Sequence, residues 1–369
     1  MCSRYARQTV LPEIGEAGQA LLAQARILVV GTGGLGSPAL LYLAAAGVGL
    51  RRQNGCIGLI DDDCVDASNL QRQIIFRETD QASPKVDAAV KHLAALNSET
   101  QLVSHSTRLT AANAMEILGN YDVIIDGSDN FTTKYLLNDA AAKLGKPVVY
   151  GSILGFEGQV SVFWAQQGPC YRCIYPKQST SHIPNCAEAG TLGGIAGVIG
   201  AMQAVEACKL ALGIDHCRKY GLETLVGQLL IFDARTWDIR KLELSRATTC
   251  PNCSRPVDDI ALSDDAAIAW CADQPKPITL RDLADLWDSG IPLTLIDVRE
   301  AVELQQGQLE GARHIPLGAL LAQAEALDDI DPASLVVVYC QHGMRSARAV
   351  AHLRAKGFEA RNLLVDWPA

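Results

Sequence analysis

A doubly wound, mixed α/β sheet joined to a second, smaller α/β domain is the fold class predicted by this sequence of 369 residues, and three observations carry it. Apolar runs of strand length alternate with helical patterns from Ile27 to Tyr150, the rhythm of a largely parallel sheet. The first of these runs passes directly into Gly31-Thr32-Gly33-Gly34-Leu35-Gly36 and then into a helix former, giving the order strand, glycine turn, helix. Between Ser254 and Pro277 the composition shifts to Asp, Ala, Ser and Pro, after which a smaller strand and helix pattern begins afresh. A chain of this length exceeds one ordinary core, so two or three domains are expected.

Residues 1 to 25 read as helical, with Arg4 and Arg7 beside Tyr5 and Gln8. Ile27 to Val30 is apolar and β-branched, as suits a strand buried on both faces, and Ala39 to Ala46 is a strong helix former. The glycines between them let the backbone turn tightly and approach a ligand, while the helix behind aims free N–H groups and a positive dipole at an anion. A plain strand-to-helix turn uses the same residues, so the motif alone does not decide for a nucleotide. Ile57 to Asp61 is a second strand ending in three successive acids. A carboxylate there accepts from both ribose hydroxyls, in an NAD site as in an ATP site.

Ser68-Asn69-Leu70-Gln71-Arg72-Gln73 forms a polar loop, and Ser83-Pro84-Lys85 opens a helix with apolar positions Val86, Ala89, Val90 and Leu93. Arg72 and Lys85 are candidate phosphate clamps, although single cations equally suit a solvated surface. Tyr121 to Asp126 is a further strand with Gly127-Ser128-Asp129-Asn130 at its carboxyl end, the edge at which open α/β sheets bind ligands. Strands at 147–150 and 159–163, a core helix from Gly193 to Leu212, and closing strands at 228–233 and 239–244 complete a first domain over 1–255. Residues 256–277 read as a linker and 278–369 as the second domain. There a helix over 280–287 and a strand over 293–297 precede a strand from Leu335 to Cys340, which runs into Gln341-His342-Gly343-Met344-Arg345-Ser346 and a helix over 347–355.

A net charge of −9 with no long basic run argues against a nucleic-acid partner. No apolar run is expected to span a membrane, and the first residues lack a secretion signal, so a cytoplasmic protein is expected. In that compartment the twelve cysteines are metal ligands, nucleophiles or buried packing rather than a disulfide frame. Cys170-Tyr171-Arg172-Cys173 and Cys250-Pro251-Asn252-Cys253 are two C-x-x-C pairs, which suit a closed, structural Zn²⁺ site with four thiolates; a redox pair is the competing reading. Cys340 stands at a strand end before a glycine loop and a helix, where backbone N–H groups and Arg345 favour a thiolate nucleophile. Cys186 lies in a loop and is either inert or reactive on its own residues alone.

The combination of Arg4 to Gln8, Gly31 to Gly36, Asp61 to Asp63, Ser68 to Gln73, Lys85, Asp126 to Asn130 and the paired cysteines resembles the MoeB/ThiF family of ubiquitin-activating-like adenylyltransferases over residues 1 to 255. Its fold is a Rossmann-like doubly wound sheet. Ile296-Asp297-Val298-Arg299-Glu300, Gly311 to Pro316 and the Cys340 to Arg345 spacing resemble a rhodanese domain. Together they are similar to MoeZ-type adenylyltransferase/sulfurtransferases. The resemblance implies that Mg²⁺-ATP is held by Gly34, Asp61, Ser68, Asn69, Arg72, Lys85, Asp129 and Asn130, with Asp129 on the magnesium. It implies a homodimer in which Arg7 reaches the other subunit's site.

It further implies adenylylation of a small ubiquitin-like sulfur-carrier protein of MoaD/ThiS type ending in Gly-Gly. Cys340 then passes on sulfur from a donor such as a cysteine desulfurase to give a thiocarboxylate, and Cys186 matches a loop cysteine that links covalently to the carrier. The pathway stays open, molybdenum cofactor and thiamine biosynthesis among others. The sequence departs from the family in three places: a longer link at Leu50 to Cys56, no histidine near Gln308-Leu309, and no Gly-Gly turn around Asn362 to Trp367. Two alternatives remain, an NAD-dependent oxidoreductase and a non-catalytic carrier-binding scaffold.

Overall fold

The computed structural model describes residues 4–176, 190–264, 277–322, 330–331, 334–341 and 343–365. It divides into two compact units, Met1–Ala267 and Ile268–Ala369. The first holds an eight-stranded sheet, β1 Arg26–Val30, β2 Cys56–Ile60, β3 Leu102–His105, β4 Val123–Asp126, β5 Val148–Leu154, β6 Glu157–Phe163, β7 Gln228–Asp233 and β8 Asp238–Glu243, in the order β3-β2-β1-β4-β5-β6-β7-β8. Strands β3 through β5 pair in parallel and β5 through β8 antiparallel, as the alternation of elements predicts.

The period of two along β1 explains the double winding. Ile27 and Val29 face a core with Ala39, Leu40 and Leu43 of the helix Gly36–Ala45 and with Ala204 and Ala207 of the helix Gly193–Leu212. Leu28 and Val30 face the other side, against Leu136, Leu137 and Ala140 of the helix Phe131–Leu144. Since β1 lies between β2 and β4, the strand order reverses there. The carboxyl ends of these three strands therefore flank the switch point, the edge at which open α/β sheets bind ligands.

Several local expectations are corrected. The stretch read as helical holds, among the described residues, two helices, Ala6–Thr9 and Gly15–Gln24. Pro12 offers no amide hydrogen, and Gly15 takes φ +56°. Strand β3, a half-buried edge, and the helix Phe131–Leu144 were absent from the sequence reading. The long link at 50–56 forms a 3-10 turn, Arg51–Gln53, at the start of β2, away from Asp61 at its far end. In the stretch read as linker, residues up to 264 lie on the first unit: Lys143 Nζ donates to the carbonyls of Asp258 and Ile260 at 3.1 and 3.2 Å, and Asp264 accepts from the N–H of Ala111. Contrary to expectation, the helix Gly193–Leu212 is long and apolar enough to cross a membrane by length and composition. It packs instead against the helix Gly36–Ala45 and against β4, β5 and β6.

The second unit is a four-stranded parallel sheet, β9 Leu293–Asp297, β10 Arg313–His314, β11 Leu335–Tyr339 and β12 Ala360–Leu363, in the order β10-β9-β11-β12. The central β11 is buried along its whole length and delivers Cys340 to its carboxyl end. The helix behind the loop, Met344–Ala355, starts three residues earlier than the sequence reading placed it.

Two glycines of one helix give an internal test of the packing. A Cβ on Gly200 would stand 2.4 Å from the Leu35 carbonyl oxygen, whereas one on Gly197 meets open space. Gly197→Ala is expected to stabilise the first unit by about 0.5–1 kcal/mol and Gly200→Ala to destabilise it by about 1–3 kcal/mol. Urea unfolding of the two variants checks this, and shifts of the same sign would refute the packing.

Candidate active sites and metal centre

The glycine turn is built by close approach. Gly31 has φ +87°, and a Cβ on Gly36 would fall 1.9 Å from the Gly31 carbonyl oxygen. Across the switch point, a Cβ on Gly127 would meet the Gly31 oxygen at 2.8 Å. Only hydrogen fits at these places, so the turns after β1 and β4 abut. Gly31 and Gly127 donate their N–H groups to the Ile60 and Val30 carbonyls at 2.9 and 2.8 Å, while those of Gly33 and Gly34 make no hydrogen bond among the described residues.

Around this cradle the structure assembles several of the residues singled out in the sequence. Asp61, at the tip of β2, accepts at Oδ2 from the N–H and hydroxyl of Thr32 at 2.7 and 2.8 Å, and at Oδ1 from the N–H of Asp63 at 3.0 Å. Asp63 in turn binds the ammonium of the buried Lys85 at 2.7 Å. Arg72 lays its methylenes beside Gly34, 3.4 Å from a Cβ placed there, and donates from Nη1 to the Ser68 carbonyl at 3.1 Å. Ser68 is held by Asp66, whose carboxyl is kept below its usual range by hydrogen bonds from the Ser68 hydroxyl and N–H. Asn69 donates to the Ser68 hydroxyl at 3.4 Å.

Asn130 and Asp129 follow the end of β4 and share no side-chain hydrogen bond with that ring among the described residues. Asn130 caps the helix Phe131–Leu144, accepting from the N–H of Thr133 at 2.8 Å. Asp129 is exposed and makes no hydrogen bond or ion pair among the described residues, so its carboxylate is open to a hard cation. Arg7 is likewise exposed on the short helix Ala6–Thr9. Cys186 lies outside the described residues.

Sequence reasoning passed over three groups at this edge. Lys134 is buried and pairs with Asp126 at 2.8 Å, closing the end of β4. Thr32 is the donor that orients Asp61. Gln73 is 4 % exposed with its Nε2 3.6 Å from a Cβ on Gly33, and its Oε1 has no hydrogen-bond partner among the described residues. Thr32 and Gln73 are polar residues within motifs already quoted, Lys134 lies in a helix that the sequence pattern did not reveal, and only the buried surroundings mark the three out.

The two C-x-x-C pairs meet. Cys170 Sγ lies 3.6 Å from Cys250 Sγ and 3.9 Å from Cys173 Sγ, and Cys173 Sγ lies 3.6 Å from Cys253 Sγ. All four sulfurs fall within 4.8 Å of one another. A disulfide needs about 2.05 Å. Tetrahedral thiolates at 2.3 Å from a Zn²⁺ ion stand roughly 3.8 Å apart, so the donor set fits zinc. Cys253 is drawn down to about 5 by hydrogen bonds from its neighbours, that of Cys170 first, while the same bond and burial push Cys170 up. A divalent cation lets all four ionise together.

In the second unit Cys340 is buried, and its Sγ accepts from the Ser346 N–H at 3.4 Å and lies 3.3 Å from the Ser346 hydroxyl. Gly343, with φ +77°, bends the loop and accepts at its carbonyl from Asn362 Nδ2 at 3.0 Å. Leu364 packs where a Gly343 Cβ would stand, so β12 supports the loop in the absence of a Gly-Gly turn. Arg345 does not turn to the sulfur. It forms a two-pronged pair with Glu303, Nη1 to Oε2 at 2.5 Å and Nη2 to Oε1 at 2.6 Å. Below it, Arg299 and Asp297 form a fully buried pair at 2.7 Å that donates on to the Gly307 carbonyl.

With this geometry in view, the comparisons are direct. The ThiF family model matches residues 5–252 and the Rhodanese-like domain model residues 279–368. The chain belongs to the ThiF family. It is 41 % identical to the "Probable adenylyltransferase/sulfurtransferase MoeZ" of Mycobacterium tuberculosis, over 96 % of this chain and 89 % of the relative. It is 40 % identical to the "Adenylyltransferase and sulfurtransferase MOCS3" of Anopheles gambiae, over 98 % and 83 %. The "Sulfur carrier protein adenylyltransferase" of Thermus thermophilus is 45 % identical over 68 % of this chain and 90 % of that protein. Among solved structures, E. coli MccB crystallised with ATP superposes with a TM-score of 0.58 at 19 % identity, over 69 % of this chain and 75 % of that one, a likeness of fold. This ThiF-family chain with a rhodanese domain is thus an enzyme of the adenylyltransferase/sulfurtransferase kind, and ATP use fits the family.

Two outcomes follow from the metal centre and the loop. Metal analysis of the ThiF-family chain is expected to find one zinc, and Cys250→Ser is expected to lower the stability of the first unit by several kcal/mol, since zinc-site energy is folding energy. A folded protein free of zinc would end that reading. Glu303 is held below its usual range by the Arg345 hydrogen bonds, against the pull of burial. A depressed carboxylate stabilises the fold above its unfolded value near 4.5 and loses that contribution as pH falls through the folded value. Glu303→Gln is therefore expected to flatten the acid loss of second-unit stability below about pH 4.5. An unchanged acid limb in denaturant titrations would contradict the assignment.

Proposed function

We propose that the chain adenylylates the carboxyl-terminal glycine of a small ubiquitin-like sulfur carrier at the β1–β4 crevice and then supplies sulfur from Cys340. The observation that carries this is the pairing, in one chain, of the Gly31–Gly36 cradle ringed by Asp61, Arg72 and Lys85 with a buried cysteine loop in a separate unit. Asp61 would take the ribose hydroxyls, as its place at the tip of β2 favours. Arg72, Lys85, Ser68, Asn69 and the N–H groups near Gly34 would hold the phosphates, with Asn130 at the rim. Magnesium at Asp129 would offset charge on the phosphate oxygens.

In the first step a carboxylate oxygen of the carrier attacks the α-phosphorus and pyrophosphate leaves, giving an acyl-adenylate. Positioning and cationic stabilisation of the phosphate oxygens supply the rate. In the second, the outer sulfur of a Cys340 persulfide attacks the acyl carbon and AMP leaves. A thiol then cleaves the resulting acyl disulfide, releasing the thiocarboxylate and leaving a disulfide on Cys340. Cys186 is the covalent partner that the family resemblance assigns. A cysteine desulfurase suits the donor role, and the relatives' names support a sulfur carrier as acceptor. We further propose a cytoplasmic homodimer in which Arg7 completes the neighbouring site, and two domains, the first extended from 1–255 to residue 264 by the contacts of Asp258, Ile260 and Asp264 and the second over 278–369. An NAD-dependent oxidoreductase would leave the cations of this edge without use.

Asp129→Ala is expected to lower carrier-dependent ATP–pyrophosphate exchange about 100-fold or more while thiosulfate sulfurtransferase activity stays intact. Exchange near the wild-type rate would remove Asp129 from the metal. Cys340→Ala is expected to do the reverse: the carrier is adenylylated, but its mass never shows the gain of about 16 Da that marks sulfur in place of oxygen. Thiocarboxylate formed by that variant from a protein persulfide donor would move sulfur transfer to another thiol.

A further inference from the structure

The two halves of the four-cysteine centre lie 80 residues apart, and C-x-x-C spacing does not tell one turn where the other is. One side chain touches both. Asp139, 3 % exposed in the helix Phe131–Leu144, accepts at Oδ1 from Arg172 Nε at 2.7 Å and at Oδ2 from Arg172 Nη2 at 2.6 Å. The same Oδ1 accepts from Asn252 Nδ2 at 2.6 Å. Arg172 and Asn252 hold the same place in their turns, the residue before the second cysteine. The preceding residue adds a further tie, Asn138 Oδ1 accepting from the N–H of Tyr171 at 2.7 Å. The Arg172 guanidinium also lies 4.6 Å from the centre of the Tyr135 ring on this helix.

A buried carboxylate is costly unless its lone pairs are filled. Here they are filled by both turns, so the helix serves as a template on which the turns meet. That helix opens at Asn130, whose side chain caps it, and is pinned to the end of β4 by the buried Lys134–Asp126 pair. Nine residues of helix separate Asp139 from Asn130, about 14 Å.

We propose that Asp139 is the positioning residue of the four-cysteine centre: it clamps both turns at ligand spacing and carries the metal's hold along its helix to the nucleotide edge. This rests on the zinc reading of the centre. Residues outside the ligand set that orient metal ligands change metal affinity by about 10–100-fold. Since such coupling is reciprocal in binding free energy, nucleotide at the crevice tightens the metal by the factor by which the metal tightens nucleotide.

The test uses the full chain, with Asp139→Asn, which keeps shape but removes the charge, and Asn252→Ala, which frees one turn. Zinc is partitioned at equilibrium against a chromogenic chelator with and without a non-hydrolysable ATP analogue, and circular dichroism confirms the fold. Zinc affinity is expected to be about 10–100-fold lower in Asp139→Asn and to fall less in Asn252→Ala. In the wild type the analogue is expected to raise zinc affinity about fivefold, an effect absent from Asp139→Asn. A folded Asp139→Asn that holds zinc with wild-type affinity overturns the clamp. If that variant does not fold, wild-type zinc affinity in Asn252→Ala overturns it. An analogue without effect on the wild type overturns the link to the nucleotide edge. A wild type that neither carries nor takes up zinc overturns the zinc reading and the clamp with it, whereas zinc in the wild type with unmoved variants overturns the clamp alone.

Discussion

The first unit depends on one steric constraint, the absence of side chains where the turns after β1 and β4 press together. Gly31, Gly36 and Gly127 approach so closely that any Cβ would overlap a carbonyl oxygen or come within 2.9 Å of one. That contact lets the helix Gly36–Ala45 start directly at the sheet edge and leaves backbone donors facing the crevice. It also sets the place of Asp61, because the Thr32 that orients this carboxylate belongs to the same turn. A substitution there would displace the cradle and its acid together.

Buried polar ties hold the rest of the edge in register with this turn. Gln203, 0 % exposed on the long apolar helix, donates to the carbonyls of Asp126 and Val149 at 2.7 and 3.0 Å. Lys134 answers Asp126 from the opposite layer. The end of β4 is thus gripped from both faces of the sheet. Such ties contribute little net stability relative to apolar packing, but their directionality leaves few alternative arrangements of the strand end. A 20-residue apolar helix that carries this glutamine at its inner face is placed as a core element by its partners, where composition alone would also allow a membrane span.

How much was legible in the sequence follows the range of each signal. Strands β1, β2 and β4 and the glycine turn were readable because buried parallel strands are continuous apolar runs and the turn needs a particular residue at each step. Strand β3 was not, since a half-buried edge strand of four residues leaves almost no period. The nucleotide-edge residues were located through a family pattern, and the structure adds the contacts that no pattern states, such as Lys85 on Asp63 and Arg72 over Gly34. The meeting of the cysteines was inferable from ligand chemistry, but their template at Asp139 was not, because its partners are 33 and 113 residues away. Glu303 escaped for the same reason, 42 residues from Arg345.

The last point changes how the sulfur loop works. Both units place their reactive turn between the carboxyl end of a parallel strand and a helix, so both offer backbone N–H groups and a dipole to an anion. They differ in what the arginine does. Arg72 hydrogen-bonds a neutral carbonyl and so keeps its charge uncompensated by that partner beside Gly34. Arg345 is neutralised by two short hydrogen bonds to Glu303, so it fixes the shape of the loop more than the field at its centre. Among the described residues the donors that reach the buried Cys340 are the N–H and hydroxyl of Ser346. Short-range hydrogen bonds from a preorganised loop stabilise an anionic sulfur. The same strand–turn–helix element therefore carries glycines beside a cation bonded to a neutral carbonyl in one unit, and a cysteine beside a cation paired with a carboxylate in the other.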